Sequence, residues 1–284
     1  MSIQAQQHTI LFGVKMITLS PVTVIIPSFN SSRTISRALH SVLKQTTPPK
    51  EIIIIDDASS KEERLKLDSI LSSLDTPTIK VIYNDVNLGA GRSRDVGWEK
   101  ASQPYIAFLD SDDSWHPEKL SIQLEAMKSN SNAALCATSV KVVETPSPPP
   151  HSPITNITPI NINRNRLLYK NFFSTPSVLI KSDLQLRFGT QRFSEDYLLW
   201  MRIAFDTDAE LIHIPFPLTY CHKPLYGHSG LSANLLKMEK SELGNFKKLY
   251  LENKISFPQA LFASFISIIK FLRRIITIRT SRSN

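Results

Sequence analysis

The first half of the chain alternates short apolar runs with longer stretches of helical periodicity. Residues 22–26 are apolar and β-branched, which predicts a buried strand. Over 31–44 the apolar positions Ile35, Ala38, Leu39, Val42 and Leu43 recur at helical spacing. Residues 51–55, 79–83 and 105–109 predict three more strands, with helices over 61–74 and 89–101 and another opened by Pro117. This order predicts an α/β fold, a Rossmann-like and mostly parallel sheet with helices on both faces. Such sheets bind ligands at the carboxyl ends of their strands. The polar clusters fall there: 27–30, Asp56-Asp57, 84–87 and 110–113.

The second half is less regular. A Pro/Ser/Thr-rich loop over 145–160 is incompatible with helix or central strand. Beyond it, 177–180, 211–214 and 218–221 predict short strands, and 195–205 and 231–251 predict helices. The expected organisation is a flexible extension over 1–19, with Met16 as an alternative start, then a domain over 20–232 and C-terminal helices over 233–284.

Composition narrows the class. Of 284 residues, 42% are hydrophobic, enough for a core and against global disorder. Two cysteines, Cys136 and Cys221, exclude a disulfide scaffold or a Cys-rich zinc module and suggest a reducing compartment. The net charge of +8 is concentrated in a tail: from Lys237 onward ten Lys/Arg face three acids. A nucleic-acid partner would need basic residues spread over the folded surface, so none is expected. Over 257–278 an apolar helix carries Ser267, Lys270, Arg274 and Thr277 on one stripe. Its uninterrupted run, 260–269, is short of the roughly 20 residues needed to span a bilayer. It predicts an amphipathic helix lying on the inner membrane surface, or else one that packs on the domain or mediates dimerisation. No secretory signal is visible, so the expected location is cytoplasmic and peripheral to that membrane.

The candidate chemistry is acidic. Asp110, Asp112 and Asp113 follow a strand directly, and three carboxylates this close favour a hard cation such as Mn2+ or Mg2+. At 27–30 the chain passes from strand to helix, offering N–H groups to a nucleotide without the glycines of a phosphate loop. Arg92 and Arg94 lie near a helix start, where a cation opposes the dipole and a diphosphate is the natural partner. Glu195 and Asp196 open a helix. His228, in a short glycine-flanked segment, is a candidate to reach a metal or diphosphate, the alternative being a surface histidine.

Together these segments resemble the family 2 glycosyltransferases. The resemblance is carried in order by VTVIIPSFNSSRTISRALHSVLKQT, EIIIIDDASS, NLGAGRSRDVGWEKA, YIAFLDSDDSWHPEKL and FSEDYLLWMRIA, spanning about residues 20–205. It implies the GT-A fold and transfer of a sugar from a nucleotide-diphosphate sugar, UDP-sugar favoured, with inversion. Residue by residue, it implies that Asp57 holds the base and that Pro27, Ser28 and Asn30 line the nucleotide. Gly89 and Arg94 sit near the nucleotide-sugar. Asp110 and Ser111 contact ribose or metal-bound water, Asp112 ligates the metal with Asp110 and His228, Asp196 is the general base, and Glu195 touches acceptor or sugar. Ser32, Ala58 and Asp95 depart from the family pattern. The expected acceptor is a saccharide, lipid-linked, in bacterial surface-polysaccharide synthesis. The alternatives are a nucleotidyltransferase of sugar phosphates, or a non-catalytic sugar-nucleotide-binding protein at the membrane.

Overall fold

A computed structural model describes residues 18–74, 76, 78–143, 154, 157–223 and 234–283, with side chains described as far as Thr277. The 1–17 segment and most of the proline-rich loop lie outside these residues. In chain order the elements are β1 (Ser20–Ser28), α1 (Ile35–Leu43), β2 (Pro49–Asp56), α2 (Lys61–Ser72), β3 (Ile79–Tyr83), α3 (Ala90–Lys100), β4 (Tyr105–Phe108), β5 (Asp113–Trp115), α4 (Lys119–Ser129), β6 (Ala133–Val142), β7 (Ile160–Asn161), α5 (Arg164–Leu167), β8 (Val178–Lys181), α6 (Glu195–Asp206), β9 (Glu210–Cys221), α7 (Leu235–Leu251) and α8 (Phe257–Ser283).

One sheet runs β3-β2-β1-β4-β8-β6-β9-β5, with β7 paired to β9. The block β3-β2-β1-β4 is parallel, as the alternation requires. Beyond β4 the joins to β8, from β8 to β6 and from β9 to β5 are antiparallel, while β6 and β9 run parallel. The period of two in a strand divides its side chains between the faces. Ile25, Ile53 and Ile55 pack with Trp98, Trp200 and Phe246 from α3, α6 and α7. Val24, Ile26, Ile52 and Ile54 pack with Leu39, Leu67 and Leu120 from α1, α2 and α4. Both faces are covered, which explains the near-continuous isoleucine run of β2.

Three strands exceed the sequence expectation, among them the two-residue β7 at the end of the proline-rich loop. β5 has three residues, too few for a periodic signal, and β6 opens on two alanines, which have low strand preference. The two short strands expected over 211–214 and 218–221 are one strand, β9. Its pairing with β6 shifts register around Pro217, where a missing N–H interrupts the ladder.

The last helix packs on the domain, one of the alternatives expected for it. α8 packs on α7 through one end of its polar stripe: Ser267 Oγ lies 3.0 Å from Glu239 Oε1 and 2.9 Å from Glu242 Oε1 on α7, and the exposed Lys270 Nζ donates to the Tyr169 carbonyl. Ala263 and Ser267 are buried, whereas Phe257, Leu261, Phe265, Ile268, Leu272 and Ile276 are exposed along one side. Ser267 of the stripe therefore serves packing, Lys270 and Arg273 stay exposed, and a row of large apolar side chains faces outward. Among the described residues, no helix is long and apolar enough to cross a membrane.

Candidate active site

The carboxyl ends of β1, β2 and β4 and the start of α6 surround a cavity of about 580 Å³. Asp57, Asp112 and Asp196, remote in sequence, all line it. So do Pro27, Ser28 and Asn30 from the end of β1, Arg94 from α3, Asp110 and Ser111 after β4, and Glu195. Gly89 is not part of the wall, where its neighbour Ala90 stands instead. His228 lies outside the described residues. The rim carries unusual backbone: Asn30, Ala58, Gly89 and Ser194 have φ of 48°, 62°, 87° and 55°. Left-handed geometry at non-glycine residues costs about 1–3 kcal/mol each and persists where surrounding structure enforces it. Ala58 is such a case, at the position where the resembling family usually has glycine.

Asp57 organises the loop over 84–89. Its Oδ1 accepts from Leu88 N at 2.8 Å and Asn84 Nδ2 at 2.9 Å, and its Oδ2 accepts from Gly89 N at 2.8 Å. This is how the sequence segment 84–89 is shaped before α3 begins. Asp95, another departure from the family pattern, is fully buried and accepts from Phe188 N and Gly189 N, both at 2.9 Å. It ties α3 to the chain leading into α6. At the third departure, Ser32 N donates to Glu63 Oε2 at 3.1 Å, so α2 supplies a carboxylate to this loop.

Arg94 is buried against two carboxylates. Its Nη2 lies 2.5 Å from Asp110 Oδ1 and its Nη1 3.7 Å from Glu195 Oε1. The unfavourable position of a cation near a helix start is offset by these two neighbours. Glu195 approaches α3 closely enough that a Cβ on Gly91 would lie 2.7 Å from Glu195 Cγ. Burial, then the neighbouring Asp196 charge, raise the Glu195 carboxyl to about 8 against the pull of Arg94.

Asp196 stands in the first turn of α6, with its Oδ2 accepting from Thr175 Oγ1 at 2.9 Å and its Oδ1 from Tyr197 N at 2.7 Å. The helix start alone would favour the ionised form. Burial reverses the balance and raises its pKa, opposed by Thr175, Tyr197 N–H and Arg94 and reinforced by Asp110. A carboxylate whose pKa lies above the ordinary range takes up a proton more readily.

Asp110, Asp112 and Asp113 can bring one oxygen each within 4.8 Å of the others. Asp113, at the start of β5, is buried, with Oδ1 unpartnered and Oδ2 accepting from Cys221 Sγ at 3.3 Å. Burial, with Asp110 and Asp112 nearby, drives its pKa well up. An unpartnered buried oxygen among three carboxylates fits a hard divalent cation. Asp112 also pairs with Lys223, and its carbonyl accepts from Arg37 Nη2 at 2.6 Å. Thr175 and Lys223 were not evident as site residues, because a lone Thr or Lys beyond a strand carries no periodic or spacing signal.

Residues 23–182 match the family described as "Glycosyl transferase family 2". An Escherichia coli protein named UDP-Glc:alpha-D-GlcNAc-diphosphoundecaprenol beta-1,3-glucosyltransferase WfgD is 32% identical over 231 residues, covering 79% of this chain and 86% of that protein. A Bacillus subtilis protein named putative teichuronic acid biosynthesis glycosyltransferase TuaG is 43% identical over 114 residues, 39% of this chain and 44% of its own length. Among solved structures, S. aureus TarS 1–349 in complex with UDP-GlcNAc superposes with a TM-score of 0.63 at 19% identity, covering 81% of this chain and 66% of that one. A Pyrobaculum calidifontis mannosyltransferase, PcManGT, in complex with GDP-Man and Mn2+, gives 0.61 at 14% identity, covering 94% and 82%. These structures share the fold, the GT-A arrangement that the motifs imply. With the ordered motifs, the matched family span and the rim of carboxylates in agreement, the chain is a member of glycosyltransferase family 2.

Proposed function

We propose that this chain is an inverting, metal-dependent glycosyltransferase that moves a sugar from a nucleotide-diphosphate sugar, UDP-sugar favoured, to a lipid-linked saccharide in bacterial polysaccharide synthesis. The observation that carries this reading is the cavity where Asp196, held by Thr175, and the Asp110–Asp112–Asp113 group line one space. In the proposed step the acceptor oxygen forms a bond to the anomeric carbon as the bond from that carbon to the diphosphate oxygen breaks. Asp196 takes the acceptor proton, and the electron pair leaves with the nucleoside diphosphate. Asp112, Asp110 and Asp113 would hold Mn2+ or Mg2+, which supplies charge neutralisation to the diphosphate when bound. A single displacement by an acceptor opposite the leaving group inverts configuration. The nucleotidyltransferase alternative needs a Lys/Arg-rich triphosphate loop near the first strand, whereas 27–32 contain no Lys or Arg and the segment between β1 and α1 offers Arg33 alone.

The acceptor reading is supported by the name of the E. coli relative, which acts on a diphosphoundecaprenol-linked sugar. The exposed apolar side of α8 supports work at the inner membrane surface from the cytoplasmic side, because a monomer rarely leaves so long an apolar stripe in water. The test is a panel of UDP-, GDP- and TDP-sugars with Mn2+ and a lipid-linked acceptor, run on the native protein and Asp196→Asn. Transfer by the native protein, and donor binding without transfer by the variant, are expected. A variant that transfers at the native rate refutes the base assignment.

A further inference from the structure

Beneath the cavity lies a buried polar scaffold that glycosyl transfer as described leaves unused. The single 3₁₀ turn Thr175–Ser177 precedes β8, and all three of its residues are buried. Thr175 Oγ1 points up and donates to Asp196 Oδ2 at 2.9 Å. The rest of the turn is held from below by side chains of β5 and α4. Trp115 Nε1 donates to the Pro176 carbonyl at 2.7 Å. Gln123 Nε2 donates to the Ser177 carbonyl at 2.9 Å and to the Cys136 carbonyl at 2.7 Å.

The orientation of that amide is set in turn. Lys119 Nζ donates to Gln123 Oε1 at 2.7 Å and lies 3.9 Å from the centre of the Trp115 ring. Trp115, Lys119 and Gln123 are at most 1% exposed. Burying a lysine is costly unless its donors are used, and this one is spent on aligning an amide and a ring that both grip the same turn. Trp115 ends the strand that Asp113 begins. A continuous chain of contacts therefore runs from the acidic cluster to Asp196, through Trp115, Pro176 and Thr175.

We infer that Thr175 is a positioning residue for Asp196, and that Trp115 and Gln123 lock the turn bearing it, so that the acidic cluster and the base are kept in register. This rests on Asp196 being the general base. The hydroxyl does two things: it fixes the rotation of the carboxylate, and it stabilises the ionised form. Other charged groups facing Asp196 are Arg94 from α3, Asp110 after β4 and Glu195 on its own helix. None of them contacts Oδ2 in place of Thr175.

The experiment compares Thr175→Val, Thr175→Ala and Thr175→Ser with the native enzyme. Each is measured for kcat, acceptor and donor KM, donor binding by calorimetry, and kcat/KM against pH. Val and Ala are expected to lower kcat about 10- to 100-fold, the range for a misaimed catalytic group, with donor binding unchanged. The acidic limb of the pH profile should move to higher pH, because loss of the donated hydrogen bond disfavours the carboxylate. Ser should restore most of both. Trp115→Phe, which keeps an aromatic side chain but loses the indole N–H and some volume, should lower kcat in the same way. Combined with Thr175→Val it should add little, as expected for residues acting through one contact. Native kcat and an unmoved pH limb in Thr175→Val, in a protein whose Asp196→Asn form is inactive, overturn the inference alone. Full additivity of the two changes overturns the link to Trp115. An active Asp196→Asn enzyme instead removes the reading on which the inference rests.

Discussion

Arg94 and Asp110 meet at 2.5 Å, and this contact joins helix α3 to the acidic loop after β4. The same guanidinium also faces Glu195 at 3.7 Å, so it bridges two acidic side chains that line the cavity. Arg94→Ala should destabilise the fold by about 3 kcal/mol, the cost of leaving partly buried charges unpaired. It should also weaken donor binding. Arg94→Lys should recover stability in part, lacking the second donor. Chemical denaturation and donor titration check both.

Three glycines separate activity from stability. Gly91→Ala places a Cβ 2.7 Å from Glu195 Cγ and should impair turnover by shifting Glu195 and Asp196. Gly97→Ala places one 2.7 Å from Ile25 Cγ2, inside the core, and should cost about 1–3 kcal/mol in unfolding. Gly244→Ala meets nothing within 4 Å on helix α7 and should stabilise by up to about 1 kcal/mol. Thermal unfolding beside kcat distinguishes the three.

Lys223 pairs with Asp112 where a cation is expected. An ammonium and a metal ion cannot both neutralise that carboxylate fully, so they compete. Lys223→Ala should bind Mn2+ several-fold more tightly in the absence of donor, and Asp112→Asn should bind it far more weakly. Chelation should abolish transfer in the native enzyme, with activity restored on adding Mn2+. Calorimetric titration of Mn2+ reads the first two; unchanged affinity in Lys223→Ala would count against the competition.

Glu51 is a structural carboxylate. It is 4% exposed and accepts from Thr23 Oγ1, Lys80 Nζ, Ser102 N and Ser102 Oγ. Burial alone would raise its pKa, but these donors, led by Lys80, bring it down to about 2 from 4.5. A depressed carboxylate stabilises the fold above its unfolded pKa and loses that contribution as pH falls. Glu51→Gln should therefore cost about 2 kcal/mol at neutral pH. The gap to the native protein should narrow as pH drops from about 4.5 towards 2. Denaturation at a series of pH values measures it.

The outward side of α8 should bind anionic vesicles. Leu261→Gln, Phe265→Gln and Leu272→Gln together remove apolar surface while sparing Ala263 and Ser267, which face α7. Flotation with vesicles containing phosphatidylglycerol should carry the native protein upward and leave the triple variant behind. Equal flotation of both would sink the membrane reading.

Local sequence alone determined the parallel half of the sheet and the acidic character of its edge. Strands such as β2 are apolar on both faces, so their nature is written in consecutive residues, and the carboxylates after β2 and β4 follow directly. The helix bearing Glu195 and Asp196 was equally legible, from its first-turn acids and its apolar spacing. Tertiary structure decided what those groups touch. Thr175 reaches Asp196 across 21 positions, and Trp115 reaches Pro176 across 61. Contacts of that range arise only when the antiparallel strands close beside β4, and no spacing rule encodes them. The same holds for α8: its periodicity revealed a polar stripe and an apolar one, but only packing against α7 chose which faced inward. The acids Glu239 and Glu242 took the hydroxyl and left the apolar side outside.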